Sequence, residues 1–259
     1  MSSPAPATPT LDQVRNAGAL LQVGNKGVPV ATVQLLVGVF DDGGFGNNTR
    51  NALLAFQERQ GVQLAPGEEG KVGAATLAAL ESETAASLAS LAKIDKRNKK
   101  VKLHPLFRRK LGLLAEALTV RGMNALMTDG FRTFAEQDIL FAKGRTTPGP
   151  KVTGVRGGFS NHNYGLATDM YPVVDGQVFT EKPAGPKGVR FAQTQQAIID
   201  EAEALGLFSG VHFSFVDTPH VQSFPESRFS ANKCHQIFVA NNNSYDAVWR
   251  EATGIFEAG

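Results

Sequence analysis

Apolar residues recur at helical spacing in the N-terminal third of the chain. The pattern predicts three short helices, whose apolar faces carry Val33, Leu36 and Phe40, then Leu53 and Phe56, then Leu77 and Leu80. Glycine-rich turns precede the second and third of these helices, as Gly44-Phe45-Gly46 and Gly70-Lys71-Val72-Gly73. This pseudo-repeat of turn and helix predicts a small three-helix bundle over residues 16–82.

Helix and strand patterns alternate in the rest of the chain. They predict a helix at about 104–119, a strand at 124–130, a helix from Phe134 to near Gly144 and a helix near 190–205. Thr133 and Glu136 have capping-box spacing, which sets the start of the second helix. Two strands are expected around Tyr164-Gly165, and strand and turn residues at 211–224. The fold class predicted for residues 101–259 is therefore α+β, with a small antiparallel sheet.

Two segments fall outside these domains. Residues 1–15 are rich in Pro, Ala, Ser and Thr and predict a flexible tail. Residues 83–100 predict a linker that is first Ala/Ser/Leu-rich and then basic, from Lys93 to Lys100. The basic run either attracts a phosphate-bearing anionic surface or is simply solvated.

Composition narrows the class of protein. The 259 residues are 42% hydrophobic and 19% charged, which is typical of a soluble protein, and the length fits one large domain or two ordinary ones. A net charge of +2 gives no reason to expect a nucleic-acid partner. The single cysteine, Cys234, excludes an internal disulfide and a Cys-rich zinc site, and we expect it to be a plain thiol. No apolar run approaches ~18 residues, so no transmembrane segment is expected.

Two stretches carry metal-binding residue types. In Phe159 to Met170, His162 and Asp169 stand seven positions apart, and Gly165 between them lets the backbone reverse. Further on, Asp217 precedes His220 by three residues in a segment where proline favours a turn over a helix. Imidazoles with a carboxylate suit zinc, and a catalytic zinc usually has three protein ligands. The sequence therefore predicts a Zn2+ site formed by His162, Asp169 and His220, with a spare carboxylate nearby.

The spacing Ser160-x-His162, then Asp169, then Asp217-x-Pro219-His220 resembles the zinc peptidases that cut peptidoglycan stem peptides. These are the D-alanyl-D-alanine carboxypeptidases and, nearest to this sequence, the L-alanyl-D-glutamate endopeptidases of phage endolysins. The resemblance covers about residues 101–225, and its further motifs are Asp129-Gly130-Phe131-Arg132-Thr133, Gly144-Arg145-Thr146 and Leu205-Gly206-Leu207.

The resemblance implies a mechanism. Zinc would lower the pKa of a water molecule toward ~7. Asp217 would accept the proton of that water and return it to the leaving amine. Arg132 would hold a substrate oxygen and stabilise the oxyanion, and Ser160 would contact the substrate.

The N-terminal third resembles the peptidoglycan-binding domain found beside many wall hydrolases. The matching motifs are Val33-Gln34-Leu35-Leu36, Gly44-Phe45-Gly46-x-x-Thr49, Ala55-Phe56-Gln57 and Val72-Gly73-x-x-Thr76. The loop at 65–70 is longer than the Asp-Gly turn usual there. A plain helical spacer is the alternative.

Several alternatives stay open. Asp217 could be a turn aspartate, and Arg132 could simply pair with Asp129 or Glu136. A nuclease lacks support because no basic, aromatic-interleaved surface is visible, and no motif singles out the carboxylate pair of a glycosidase. A zinc-bearing wall-binding protein without activity is the main rival.

The sequence as a whole predicts a monomeric peptidoglycan hydrolase that acts as a phage endolysin. Its most favoured activity is that of an L-alanyl-D-glutamate endopeptidase, with a D-alanyl-D-alanine carboxypeptidase as the alternative. The N-terminus lacks the basic start and apolar core of a secretory signal. We therefore expect synthesis in the host cytoplasm and action on the cell wall after release.

Overall fold

A computed structural model describes residues 7–39, 43–95 and 102–257. The chain forms two compact units, one within Met1–Ala86 and Thr253–Gly259 and the other within Ser87–Ala252. Phe40 and the basic run Lys96–Lys100, both used in the sequence predictions, lie outside the described residues. Within the described part, no helix combines the length and apolar composition that crossing a membrane requires.

The first unit contains more helix than the sequence predicted. Its helices are α1 (Leu11–Asn16), α2 (Val28–Val37), α3 (Asn47–Gln60) and the first part of α4 (Ala74–Ile94). The three predicted helices correspond to α2, α3 and α4, so the bundle has one helix more than expected. α1 corrects the predicted flexible tail over residues 11–15, whereas residues 1–6 of that tail lie outside the described residues. Thr10 and Gln13 form a reciprocal capping box, and Val14 is fully buried, which together hold this short helix in place.

The pseudo-repeat has a structural basis in two buried glutamines. The side-chain oxygen of Gln34 accepts the Gly43 N–H at 2.9 Å, while its amide nitrogen donates to the Gly44 carbonyl and the Thr49 hydroxyl, both at 3.0 Å. Gln57 repeats this arrangement. Its bonds go to the Gly70 N–H (2.8 Å), the Lys71 carbonyl (2.8 Å) and the Thr76 hydroxyl (3.0 Å). Each glutamine thus ties a glycine turn to the start of the next helix, which satisfies buried backbone groups.

The predicted linker at 83–100 is corrected at its N-terminal end. α4 continues to Ile94, and Leu91 and Ile94 are buried. The physical reason is that an Ala/Leu-rich segment has high helix propensity and gains further stability when one face is buried.

The second unit is α+β with an antiparallel sheet, as predicted. Its strands are β1 (Asn124–Asp129), β2 (Ala167–Val174), β3 (Gln177–Val178), β4 (Phe208–Ser209) and β5 (His220–Gln222). The order in the sheet is β1-β2-β5-β4, and β3 pairs with β2. The helices are the last part of α4, α5 (Pro105–Val120), α6 (Phe134–Ala142), α7 (Gly185–Ala204), α8 (Ala231–Ala240) and the first part of α9 (Tyr245–Glu257).

The core of this unit lies where helices cover the sheet. α5 buries Leu111, Leu114 and Leu118, which follow the helical period read from the sequence. β2 is buried at alternate positions along most of its length, and α7 contributes Ile198. The sheet is therefore a rigid, half-buried platform, and its central strand β2 pairs with three others.

Of the two strands expected around Tyr164-Gly165, only the second is formed, as β2. A 3-10 helix spans Asn161–Tyr164, and β2 begins only at Ala167. The buried Asn163 side chain explains the compact turn, because its oxygen accepts the Gly158 N–H (2.9 Å) and its nitrogen donates to the Arg132 carbonyl (2.8 Å). These side-chain bonds pair backbone groups that a strand ladder would otherwise pair, so the segment forms a turn and not a strand.

Gly165 ends this 3-10 helix in a conformation that requires glycine. Its φ is +66°, and a Cβ atom there would lie 2.0 Å from the Lys102 carbonyl oxygen. We expect Gly165→Ala to lower the free energy of unfolding by more than the ~1–2 kcal/mol of left-handed backbone strain alone. Chemical denaturation would measure this. Gly254→Ala is the matched control, because that helical position is open, and its stability should be unchanged or slightly raised.

Candidate metal centre and cleft

Three residues from separate elements converge at one edge of the sheet. His162 lies on the 3-10 helix, Asp169 on β2 and His220 on β5, and the register of the two strands places Asp169 directly beside His220. His162 Nε2 lies 3.3 Å from His220 Nδ1, and each of these nitrogens lies 3.4 Å from Asp169 Oδ1. The structure therefore brings together the three residues that the sequence predicted as metal ligands.

The hydrogen bond made by the outer nitrogen of each imidazole fixes the tautomer of that ring. His162 Nδ1 donates to the Gly130 carbonyl at 2.8 Å, and His220 Nε2 donates to Gln222 Oε1 at 2.9 Å. In the neutral imidazole the other nitrogen then carries a lone pair. Two nitrogen lone pairs and a carboxylate oxygen thus face one another. A bound cation stabilises this arrangement, and without one these three atoms repel one another.

The spacing fits zinc. Tetrahedral ligands at about 2.0–2.1 Å from zinc lie about 3.3–3.4 Å from each other, and the three separations here are 3.3, 3.4 and 3.4 Å. The group His162, Asp169 and His220 can hold a metal ion by the chemistry and the mutual distances of its atoms. It offers three ligands, the number typical of catalytic zinc sites.

Electrostatics at the site also favour bound positive charge. Burial by itself would raise the pKa of Asp169, but the neighbouring imidazoles, His162 first, lower it well below its usual range. Burial would lower the pKa of His220, yet its hydrogen bond to Asp169 and the charge of that carboxylate raise it overall. The carboxylate is therefore ionised and draws either a proton or a metal ion to the imidazoles.

Asp217 lies on the loop before β5 and lines the cavity that contains the three candidate ligands. Partial burial of the Asp217 carboxyl group raises its pKa, and the nearby negative charge of Asp169 raises it further. A raised pKa suits a group that accepts a proton near neutral pH.

Gly210 sets the position of this loop. The Asp217 N–H donates to the Gly210 carbonyl at 3.0 Å, and a Cβ atom on residue 210 would lie 2.3 Å from the Asp217 carbonyl oxygen. Glycine is therefore needed at position 210 for the loop to pack this closely.

Arg132 bonds Asp129 and also lines the cavity that contains the candidate ligands. Its Nε donates to Asp129 at 3.0 Å, and its Nη1 donates to Gln137 at 2.6 Å, so the predicted pairing with Asp129 is present. Glu136 instead caps Thr133. Arg132 also lines the metal cavity, with Nη2 at 3.7 Å from Asp169 Oδ2 and a side chain only 11% exposed. Its guanidinium is thus held rigidly at the site with donors to spare.

The cavity around the candidate ligands has a volume of about 450 Å³. Ser160 lines it together with Phe159 and Phe213, so all six residues singled out from the sequence surround one space. This volume lies within the ~300–1,000 Å³ of small-molecule sites.

Comparison with known proteins decides the family. A family model described as D-alanyl-D-alanine carboxypeptidase matches residues 153–223, which include all three candidate metal ligands and Asp217. Peptidoglycan L-alanyl-D-glutamate endopeptidase CwlK of Bacillus subtilis (strain 168) is 35% identical over 127 residues, which cover 48% of this chain and 74% of that protein.

The chain belongs to this family of peptidoglycan peptidases. The prediction of a metallopeptidase that cleaves peptidoglycan is thereby confirmed. The crystal structure of Serratia marcescens L-Ala D-Glu endopeptidase ChiX also aligns, with a TM-score of 0.36 and 21% identity over 56% of this chain and 90% of that one.

This peptidase has a group of supporting residues that the sequence analysis did not single out. Gln222 is buried, and its amide nitrogen donates to the Phe224 carbonyl at 2.5 Å, which turns its oxygen toward His220. The same oxygen accepts from Asn161 at 3.0 Å, and Asn161 also donates to Glu226 at 2.7 Å. The only sequence signal was that Gln222 follows His220 by two positions, which places both side chains on one face of a strand.

Gln222 therefore orients His220 and fixes its tautomer. We expect Gln222→Leu to lower zinc affinity by about 10–100-fold, because loss of the acceptor for the outer N–H frees the ring and reduces its basicity. Competition with a chromophoric chelator would measure this. Gln196→Leu is the matched control, since that exposed glutamine bonds Asp200 on α7 and should leave affinity unchanged. Equal affinities in the two variants would remove Gln222 from this role.

Proposed function

We propose that this peptidase is a zinc-dependent L-alanyl-D-glutamate endopeptidase of peptidoglycan stem peptides. The observation that carries the proposal is the set of three lone pairs spaced for zinc, with the proton-accepting Asp217 and the guanidinium of Arg132 around the same cavity. The relative CwlK, whose name states this activity, supports the choice of bond. The alternative, a D-alanyl-D-alanine carboxypeptidase, is favoured by the description of the matching family model.

In this proposal, His162, Asp169 and His220 hold the metal. Bound zinc would supply Lewis-acid chemistry, which makes water a better nucleophile at neutral pH and polarises the scissile carbonyl. Asp217, with its raised pKa, accepts the proton from the attacking water and delivers it to the leaving amine. Arg132, fixed by Asp129 and Gln137, donates to the oxygen on which negative charge develops. Ser160 contacts the substrate at the cavity wall.

A pair of substitutions separates metal binding from proton transfer. His162→Ala or Asp169→Ala should abolish both zinc binding and wall lysis, because each removes a ligand. Asp217→Asn should retain zinc and lose about 10²–10⁴-fold in turnover, because the amide cannot accept the proton. Metal analysis, together with mass spectrometry of fragments released from purified peptidoglycan with and without chelator, would test both. Stoichiometric zinc in an active His162→Ala variant would refute the ligand assignment.

The first unit is proposed to bind the cell wall. Its paired glutamine-and-turn motifs are consistent with the resemblance to peptidoglycan-binding domains. Binding to an insoluble polymer would raise the effective concentration of the peptidase near its substrate. We propose that the protein is a monomeric phage endolysin, which combines wall binding with peptide cleavage. It would act on the wall after release from the host cytoplasm.

Removal of residues 1–82 should weaken co-sedimentation with purified wall material. Turnover of a soluble peptide substrate should be retained, since the candidate site lies wholly within the second unit. Circular dichroism and zinc content would verify that the shortened chain is folded. Undiminished sedimentation would assign wall binding to the peptidase unit or to the basic segment at 93–100.

A further inference from the structure

A second, larger cavity adjoins the one that contains the candidate metal ligands. Its volume is about 940 Å³, and the two share six lining residues: Val152, Thr153, Val155, Phe213, Asp217 and Glu226. The three candidate ligands and Arg132 line only the first cavity. The two spaces thus form one continuous cleft, with the reacting groups at one end.

The walls of the second cavity combine exposed apolar side chains with a cation. Phe215 is 86% exposed, and Val152, which lines the same cavity, is 53% exposed. Among the described residues, the Lys151 ammonium makes no ion pair, whereas the Arg145 guanidinium donates to the Phe141 and Thr153 carbonyls. An exposed aromatic ring in the same cleft as an unpaired cation is more typical of a binding surface than of a plain solvated loop.

The position of Asp217 sets the direction in which a substrate must run. Because Asp217 delivers a proton to the leaving amine in the proposed mechanism, the segment C-terminal to the cut bond has to lie on its side of the cleft. Asp217 lines both cavities. The C-terminal segment is therefore directed into the second cavity, where a peptide chain that ends in a carboxylate would meet Lys151.

We propose that the second cavity binds the C-terminal segment of the stem peptide, with Lys151 pairing with its terminal carboxylate and Phe215 covering its aliphatic atoms. This assignment rests on the proposed endopeptidase function. It makes Lys151 and Phe215 determinants of substrate length and charge, distinct from the residues that carry the chemistry.

Three synthetic peptides test this with the full-length zinc-loaded protein. All contain the L-alanyl-D-glutamyl bond; one ends at the glutamate, and two extend by two further residues and end in either a carboxylate or an amide. The wild type should prefer the extended acid over the extended amide by about two- to fivefold in kcat/KM, the scale of an exposed ion pair. Lys151→Met should bring this ratio to about one, and Lys151→Arg should retain it.

Matched variants complete the experiment. Lys182→Met removes an exposed lysine that lines neither cavity and should keep the wild-type ratio. Phe215→Ala should raise KM for the extended peptides relative to the short one. A wild-type ratio of one, or a Lys151→Met ratio equal to that of the wild type, would overturn the proposal. Failure to cut any of the peptides, including the short one, would instead count against the endopeptidase function.

Discussion

The second unit is organised around three candidate metal ligands that repel one another unless a cation is bound. His162 and His220 turn lone pairs toward each other and toward the Asp169 carboxylate at 3.3–3.4 Å, and hydrogen bonds to Gly130 and Gln222 keep both rings from turning away. Such an arrangement is unfavourable unless positive charge occupies it. The surrounding fold must therefore be stiff enough to hold it, and metal binding is expected to add to the stability of the folded state.

The rigidity of the candidate metal site comes from the positions of its ligands in the fold. Asp169 and His220 lie side by side on paired strands of a sheet covered by helices, so their separation is set by the backbone ladder. Asp217 and Arg132, the proposed proton acceptor and oxyanion donor, lie outside the strands. The Asp217 N–H is bonded to the Gly210 carbonyl, and the Arg132 guanidinium is bonded to Asp129 and Gln137. Sites built on strands keep their geometry more closely than sites on loops.

The first unit uses side-chain hydrogen bonds to satisfy the backbone groups of its glycine turns. A small domain buries little apolar surface, and its glycine turns expose backbone groups that need partners. Gln34 and Gln57 each satisfy one turn and tie it to the following helix through a threonine. In the second unit the side-chain amides of Asn163 and Gln222 bond backbone groups beside the candidate metal ligands. Buried side-chain amides, which offer both donors and acceptors, thus fix the turns in both units.

Local features were determined by the sequence alone. The capping box at Thr133, the helical period of α5 and the spacing of His162, Asp169 and His220 could be predicted because each depends on neighbours a few positions away or on a recognisable motif. The helix at 11–16 and the 3-10 helix at 161–164 could not, because burial of Val14 and the bonds of Asn163 outweighed weak local preference. The chain from His220 through Gln222 and Asn161 to Glu226 joins residues 61 and 65 positions apart. Only strand register and tertiary packing bring such residues together, since no periodic pattern in a sequence encodes contacts at that separation.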